Sequence, residues 1–409
     1  MGNRTHLFVA LNGASFGELG LGLRIARDLQ GRGEEVVFLA PATTAALFKD
    51  PPFAHIVVNE MVPSIATDLP RLVRAKGFAS VALIDVVGVA ATLESEWGID
   101  PGFLHEMGVP VIALDNWNIR ETDLRWDHGT EAFLAVTPRV LEFTKRVVPV
   151  PFARPLPDVG FNALPPGGPP SEGERQASRD ELGLSGDDKV VLLLSATWQA
   201  PEAQFWKYHT RLARHLPPLL FTALAALGPR VRVVHLGPQP FLGTEALGDR
   251  YQRVPQMSAQ RFKALMNSAD LHLSVNASAT SNFAATAIGL PIVLLINSYA
   301  GATADAVLSK LTHDAAPAVR EWLPQVVPLA RFRVWPIGLF DLMTPVLADN
   351  PFMATMEVVE LLDWDALVAT CNRLLFDPAA RAELRGRQAD YCAMVRELPG
   401  AADVFCRYL

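Results

Sequence analysis

Short runs of aliphatic and β-branched residues alternate along the chain with longer segments whose apolar residues recur every three or four positions. This alternation is typical of β-α-β units that build a parallel sheet. A helix is predicted over residues 19–31, because Gly31 and Gly33 end the periodic pattern there. In the first part of the chain the pattern predicts strands over residues 6–11, 35–39, 55–58, 80–84, 109–114 and 132–136.

Prolines and glycines are dense between residues 149 and 188, so regular structure is not expected there and we predict a linker over 151–188. The alternation then restarts. A helix is predicted over 202–227, with a break near Pro217-Pro218, and another over 281–288. The last residues, 364–409, are also helical in pattern. Strands are predicted over 189–195, 230–236, 271–275 and 291–296.

Two similar halves with a proline-rich hinge predict an α/β protein of two Rossmann-like domains that face each other across a cleft. We place these domains at residues 1–150 and 189–380, with C-terminal helices over 381–409. The length of 409 residues agrees with this division, because single hydrophobic cores rarely grow so large.

Composition narrows the function classes. The net charge is −7 with acidic and basic residues interspersed, so a nucleic-acid-binding face is not expected. We also expect no signal peptide and no transmembrane segment, because no apolar stretch approaches the roughly 18 residues that span a bilayer. Cys371, Cys392 and Cys406 lack metal-ligand spacing, and such sparse cysteines indicate reduced thiols in the cytoplasm.

The turn after the first strand, Asn12 to Gly20, is rich in glycine and leads into a helix. Glycines in such a turn bring a ligand close to the helix N-terminus, which favours anions. The spacing departs from GxGxxG and no acidic residue clearly ends the second strand, so a dinucleotide coenzyme is not predicted. Glu18 lies in the first helical turn. It either deprotonates an acceptor hydroxyl or only complements the helix dipole.

A second polar segment, Asn276 to Asn282, follows the strand predicted at 271–275 and leads into the helix predicted at 281–288. Hydroxyl and N–H groups that converge at a helix start suit a phosphate or diphosphate. The same residue types also cap helices, so both interpretations stay open here.

Further candidates lie at predicted strand ends, where open α/β sheets bind ligands. Two strand ends carry Asp85 and Asp115-Asn116-Trp117. These residues either line a pocket for the acceptor, in which case Asp115 is an alternative base to Glu18, or cap the next segment. Thr197 and Trp198 follow one strand of the second half and Gly237 follows another, so their N–H groups are candidates for a donor phosphate.

Other features predict structure rather than chemistry. Asp363-Trp364-Asp365 resembles an Asp-x-Asp metal motif but is interpreted as a helix N-cap, and no His/Cys/Asp cluster has metal spacing. His235 and His272 have apolar neighbours and are interpreted as core histidines. The apolar stretch 330–346 is expected to pack in the core, although a domain interface, an acceptor contact or a homodimer surface stays open.

Four segments resemble GT-B glycosyltransferases. The segment from Ala269-Asp270 to Gly289-Leu290-Pro291 is similar to the one that holds the nucleotide sugar in their donor half. Residues 15–18, Ser-Phe-Gly-Glu, resemble the N-terminal loop of the Kdo transferases of lipid A synthesis, whose Glu is the catalytic base. Residues 254–257 are similar to the family segment that packs on the nucleobase, and residues 377–381 resemble the start of the closing helices.

This resemblance implies a GT-B fold and a hexosyltransferase-like enzyme that inverts the sugar without a metal or other cofactor. A nucleotide-sugar donor would deliver its sugar to a hydroxyl of a small-molecule or glycan acceptor, with Glu18 as the base. Together with the strand-end candidates above, the resemblance gives these expected acceptor-side residues: Ser15, Gly17, Asp85, Asp115, Asn116 and Trp117. The expected donor-side residues, also with the strand-end candidates included, are Thr197, Trp198, Gly237, Val254, Pro255, Met257, Asn276, Ser278, Thr280, Ser281 and Asn282.

Two departures from the family pattern keep other functions open. Ala284 stands where many members carry a Glu that binds the ribose, and Asn276-Ala277-Ser278 replaces His-Gly-Gly. Ribose recognition would then fall to Ser281 or Asn282, or the donor is unusual. The alternatives are a nucleotide-sugar 2-epimerase and a non-catalytic nucleotide-binding or partner subunit on the same fold.

Overall fold

The protein is an α/β protein with two parallel sheets, as predicted. The computed structural model describes residues 4–11, 16–48, 52–58, 64–119, 139–152, 154–156, 158–196, 199, 209–255, 257, 259–334 and 340–409. The predicted strand 132–136 lies outside these residues.

The first sheet has seven parallel strands in the order β3-β2-β1-β4-β5-β6-β7. The chain therefore reverses its direction of winding between β1 and β4, which lie side by side. The strands are β1 (Thr5–Val9), β2 (Glu35–Pro41), β3 (Ala54–Val58), β4 (Ser80–Leu83), β5 (Val111–Leu114), β6 (Lys145–Val150) and β7 (Gly160–Asn162).

The second sheet has six parallel strands in the order β10-β9-β8-β11-β12-β13. It repeats the winding of the first sheet, with its reversal between β8 and β11. The strands are β8 (Lys189–Leu194), β9 (Val231–Leu236), β10 (Tyr251–Val254), β11 (Leu271–Ser274), β12 (Ile292–Ile296) and β13 (Glu357–Glu360).

Helices cover the sheets and connect their strands, so the central strands read as continuous apolar runs that are buried on both faces. The α-helices are α1 (Phe16–Gln30), α2 (Ile65–Lys76), α3 (Val86–Ala90), α4 (Glu172–Glu181), α5 (His209–Ala225), α6 (Ala259–Ser268), α7 (Thr280–Ala287), α8 (Ala304–Leu308), α9 (Pro317–Val326), α10 (Phe340–Leu347), α11 (Trp364–Phe376), α12 (Pro378–Arg396) and α13 (Ala401–Cys406). Short 3₁₀ segments cover Ala42–Phe48, Pro101–Met107, Arg139–Phe143, Thr244–Ala246, Gly248–Arg250 and Pro351–Thr355, and a π-helical turn covers Ala91–Glu96.

The C-terminal helices, predicted from the sequence, link the two halves. In α12, the Gln388 amide donates to the carbonyls of Leu290 and Thr355 in the second half, at 2.9 and 3.1 Å. From the same helix, the Tyr391 hydroxyl donates to the Pro151 carbonyl of the first half at 3.2 Å. The next helix, α13, packs its buried Phe405 against the first sheet. Among the described residues, no helix is both long and apolar enough to cross a membrane.

Two expectations about regular structure were wrong. The span 149–188 contains β7 and α4, and a capping box in which Ser171 and Glu174 bond each other's backbone N–H starts α4. No break occurs at Pro217-Pro218, because α5 continues through both prolines to Ala225. The domain limits 1–150, 189–380 and 381–409 stay predictions.

Candidate active site

A small cavity that is partly open to solvent lies where the two halves meet, at the carboxyl ends of the strands. Open α/β sheets bind ligands at this edge, next to the strands where the winding reverses. In the first sheet, Glu18 follows β1 and Asn116 follows β5; in the second, Ser278 follows β11. The described residues that line the cavity are Glu18, Leu21, Asn116, Trp117, Pro149, Phe152, Ser278, Thr280 and Phe283.

Glu18 is partly buried in the first turn of α1 and lines this cavity. Burial raises the pKa of its carboxyl from 4.5 to about 7, and the charge of Asp85 adds to the rise. Asp85 follows β4, the strand beside β1, and its Oδ1 accepts a hydrogen bond from Gly88 N at 3.0 Å. The Asp85 carboxylate thus caps α3 and also acts on Glu18. A carboxyl with a pKa near neutrality is suited to exchange a proton at physiological pH.

The loop between β11 and α7 is held by its own amides. Asn276 Oδ1 accepts from Ser278 N at 2.9 Å and from Ser278 Oγ at 2.8 Å. The fully buried Asn282 donates from Nδ2 to the Asn276 carbonyl at 3.0 Å. Ser281 Oγ lies 3.3 Å from His272 Nε2, below the loop. These bonds fix the loop that presents Ser278 to the cavity.

The N-cap residue of α7 is Ala279, whose side chain has no oxygen with which to cap the helix. The capping interpretation of this polar segment is therefore wrong for α7. The first N–H groups of a helix have no acceptor within the helix and carry partial positive charge. At α7, Asn282 N donates to the Ala279 carbonyl at 2.9 Å, and the helix start at Thr280 lines the cavity together with Ser278.

The helix starts of α1 and α7 touch across the cleft. A Cβ atom built on Gly17 would lie 3.1 Å from Thr280 Oγ1, so the Gly17 backbone lies close to the Thr280 side chain. The predicted base and the predicted donor loop thus lie on opposite walls of one small cavity.

The segment after β5 contributes two residues to the cavity and one to its support. Asn116 and Trp117 line the cavity. Asp115 is fully buried, and its Oδ1 accepts from Ile119 N at 2.7 Å while Arg146 lies 3.8 Å from its Oδ2. Asp115 therefore fixes the segment that carries Asn116, whereas Glu18 lies at the cavity itself.

The residues predicted to contact the nucleobase line another cavity. Val254, Pro255 and Met257 line a space next to α4 and α6 that is partly open to solvent, and the described residues lining it are all different from those lining the first cavity. Val254 ends β10, and Pro255 and Met257 lie between β10 and α6.

Gly237 follows β9 and lies against two polar side chains. A Cβ built on it would fall 2.2 Å from Ser195 Oγ and 2.5 Å from His235 Nε2. His235 is buried between Ser195 Oγ and the Tyr251 hydroxyl, each 2.7 Å from a ring nitrogen, and burial lowers its pKa to about 3. His235 is therefore a neutral core histidine, as the sequence indicated.

His272 is also buried and lies 3.2 Å from the Leu192 carbonyl, which confirms it as a core residue. Asp363 caps α11 by accepting from Ala366 N at 3.0 Å, as predicted. Among the described residues, no group of His, Cys, Asp or Glu has the arrangement of a metal site.

Three predicted site residues, Ser15, Thr197 and Trp198, lie outside the described residues. Of the apolar stretch 330–346, residues 335–339 also lie outside them, while Phe332, Val334 and Met343 are core residues. The homodimer stays a prediction.

Sequence reasoning missed the apolar part of the cavity wall. Leu21 lies in α1 and Phe283 in α7, and both are buried. Pro149 and Phe152 lie at the end of β6, a strand that the proline-rich texture concealed. Recognising β6 would have placed these two residues at the same sheet edge as the residues after β5.

Comparison with known proteins places the chain in a family. A family model described as a family of unknown function, DUF6365, matches residues 25–409. The chain belongs to this family. No curated protein matches the sequence.

Solved structures share the architecture of this DUF6365 protein at low sequence identity. The spinosyn forosaminyltransferase SpnP superposes with a TM-score of 0.55 at 13% identity, covering 100% of this chain and 98% of that chain. HepE from Anabaena, solved in complex with UDP and glucose, gives 0.54 at 12% identity, covering 99% and 98%. MurG from Acinetobacter baumannii gives 0.50 at 16% identity, covering 99% of both chains. The protein has the GT-B fold.

Proposed function

We propose that this DUF6365 protein is a glycosyltransferase that moves a sugar from a nucleotide-sugar donor to a hydroxyl group of an acceptor. The observation that carries the proposal is the single cavity that joins Glu18 to Ser278 and Thr280. A base and an anion-binding helix start on facing walls are what a transfer from a diphosphate leaving group requires. The GT-B structures named above, one of them solved with UDP and glucose, support this class of reaction.

On the donor side, the diphosphate is placed at the start of α7, beside Ser278, Thr280 and Ser281. The N–H groups of the helix start and the nearby hydroxyls would meet its negative charge. Asn276 and Asn282 would hold this loop in its binding geometry through the hydrogen bonds described above. Charge developing on the leaving diphosphate would then be stabilised by groups that need no rearrangement.

On the acceptor side, Glu18 is placed at the reacting hydroxyl. As the hydroxyl oxygen forms its bond to the anomeric carbon, the bond from that carbon to the diphosphate oxygen breaks, and the hydroxyl proton passes to Glu18. A single displacement of this kind inverts the configuration at the anomeric carbon. A carboxyl pKa of about 7 makes Glu18 a stronger base than an ordinary glutamate while leaving it substantially ionised above neutrality.

The test is the variant Glu18→Gln, assayed for nucleotide release from UDP-, dTDP-, GDP-, CMP- and ADP-linked sugars with a mixture of hydroxylated acceptors. General-base catalysis contributes about 10²–10⁴-fold, so we expect a loss of that size in turnover. Nucleotide binding should stay within about twofold of wild type. The matched control is Glu383→Gln on an exposed face of α12, which should keep full turnover.

Full turnover by Glu18→Gln would contradict the assignment of the base. Acceptor-independent isomerisation of a nucleotide sugar would replace the transferase with an epimerase. Tight nucleotide binding without any turnover in the wild type would replace it with a binding subunit.

A further inference from the structure

The amide side chain of Asn116, at the cavity, has no hydrogen-bond partner among the described residues. Asn116 is 7% exposed, and its Nδ2 and Oδ1 atoms are both buried without a hydrogen-bond partner among the described residues. Asn297, another buried asparagine, shows the usual arrangement: its Nδ2 donates to the carbonyls of Tyr299 and Ala330 at 2.8 and 2.9 Å, and its Oδ1 accepts from Tyr299 N. Leaving a buried amide unpaired is costly, so a ligand group is the natural partner for Asn116.

The backbone around Asn116 is firmly held. Asp115 N donates to the Val147 carbonyl at 2.9 Å, which ties the segment to β6. Asp115 Oδ1 accepts from Ile119 N at 2.7 Å, which closes the turn on the other side of Asn116. The amide is therefore fixed at the cavity wall by a supported segment.

The rest of the wall defines what else a ligand must offer. Leu21, Trp117 and Phe152 supply apolar surface, which favours an apolar ligand body. On the wall that Glu18 and Asn116 form, the charge of Asp85 acts against the charged form of Glu18 and would act in the same way against an anionic group of the acceptor, whereas the donor diphosphate is placed on the facing wall at the start of α7.

We propose that this cavity selects an uncharged, mainly apolar acceptor that carries two neighbouring hydroxyl groups. One hydroxyl lies at Glu18 and reacts. The other donates a hydrogen bond to Asn116 Oδ1 and accepts one from Asn116 Nδ2, which a single hydroxyl can do because it is both donor and acceptor. Glu18 and Asn116 line the same cavity, so both residues can contact one compact ring system. The inference rests on the proposed function in naming the ligand an acceptor.

A stability comparison tests whether Asn116 is kept for a ligand. In Asn116→Leu an unpaired buried amide is replaced by an apolar group of similar size, so the melting temperature should stay level or rise. In the matched variant Asn297→Leu three hydrogen bonds are lost, and the melting temperature should fall by several degrees. An equal fall in both variants would overturn the inference, because Asn116 would then be a structural residue.

Ligand binding tests the acceptor class with three probes of matched shape, measured by saturation-transfer NMR and titration calorimetry on the full chain. We expect 2,3-dihydroxynaphthalene to bind at least about tenfold more tightly than 2-naphthol, which lacks the second hydroxyl, and than 3-hydroxy-2-naphthoate, which is anionic. In Asn116→Leu the advantage over 2-naphthol should disappear. Equal binding of the diol and 2-naphthol to the wild type, preference for the naphthoate, or no binding of any probe would overturn the inference.

These outcomes separate the inference from the proposed function. Selective diol binding without glycosyl transfer would contradict the transferase but keep the ligand class of the cavity. Transfer that ignores Asn116→Leu would keep the transferase and contradict the role of Asn116.

Discussion

At the scale of single residues, the account depends on the carboxyl of Glu18. An isolated carboxyl in water stays ionised at neutral pH, and burial beside another carboxylate makes the charged form expensive. The pKa of about 7 therefore means that ionised Glu18 lowers the unfolding free energy of the protein. A purely structural helix-dipole role would favour the charged form and lower the pKa.

This cost gives a prediction about pH and stability. The folded pKa of Glu18 is raised above the unfolded value of 4.5, so the folded state binds more protons between pH 4.5 and pH 7 and loses stability as the pH rises through that window. Glu18→Gln removes the charge. We expect the unfolding free energy of Glu18→Gln minus that of the wild type to be about 2 kcal/mol larger at pH 8.5 than at pH 5.5, measured by urea denaturation.

The matched control is Glu383→Gln, which removes one carboxylate from an exposed position of α12. A Glu18→Gln gain that is the same at both pH values would mean that the pKa of Glu18 is ordinary in the folded protein.

Strand-end logic located many of the cavity residues from sequence alone, because turns at the carboxyl ends of parallel strands converge. Glu18, Asn116 and Thr280 all line the cavity as that logic suggests. It could not tell which side chains point outward. The side chains of Asp115 and Asn282 instead bond to the backbone of their own loops. Whether a side chain faces the cavity or its own loop depends on the local backbone conformation, which the residue type does not indicate.

At the scale of elements, prolines explain the largest errors of sequence interpretation. Pro149 lies in β6. The pairing of β5 with β6 ends where Leu114 lies opposite Val147, so the proline removes no hydrogen bond between these two strands. Pro217 and Pro218 each remove a bond from α5. Buried Leu216 and Phe221 flank them and pack in the core, which offsets the loss. Both outcomes depend on tertiary neighbours that the local sequence does not reveal.

The loop between β11 and α7 carries a prediction at the same scale. Asn282→Ala removes a buried amide that donates to the Asn276 carbonyl at 3.0 Å, while Ser274 Oγ and Ala279 N still donate to that carbonyl. We expect the unfolding free energy to fall by about 0.5–1.5 kcal/mol and nucleotide affinity to fall with it, measured by urea denaturation and titration calorimetry.

Ser309→Ala serves as the comparison, because Ser309 Oγ makes only an exposed bond at 3.4 Å to the Ala306 carbonyl. Unchanged nucleotide affinity in Asn282→Ala, despite lower stability, would show that the loop does not contribute to the donor site.

At the scale of the whole molecule, the arrangement follows from repeating one winding pattern twice. Each sheet reverses between two central strands, β1 and β4 in the first and β8 and β11 in the second. The helix starts beside these reversals meet across the cleft, where Gly17 touches Thr280. The returning helices α12 and α13 tie both halves together, so the cavity is built from residues distant in sequence. Sequence patterns predicted the two halves, but the contact between them depends on packing of the complete chain.

The proposed function requires that this cleft bind the nucleotide part of a sugar donor, and calorimetric titration with UDP, dTDP, GDP, CMP and ADP measures that binding. The wild type is compared with Gly17→Leu, whose side chain would project into Thr280, and with Gly20→Leu, where a new Cβ meets nothing within 4 Å on the exposed side of α1. We expect one nucleotide to bind the wild type and Gly20→Leu with equal affinity. The same nucleotide should bind Gly17→Leu at least about tenfold more weakly, which is a loss of about 1.4 kcal/mol in binding free energy. Absence of binding by all five nucleotides, or equal binding to all three proteins, would contradict the proposed function.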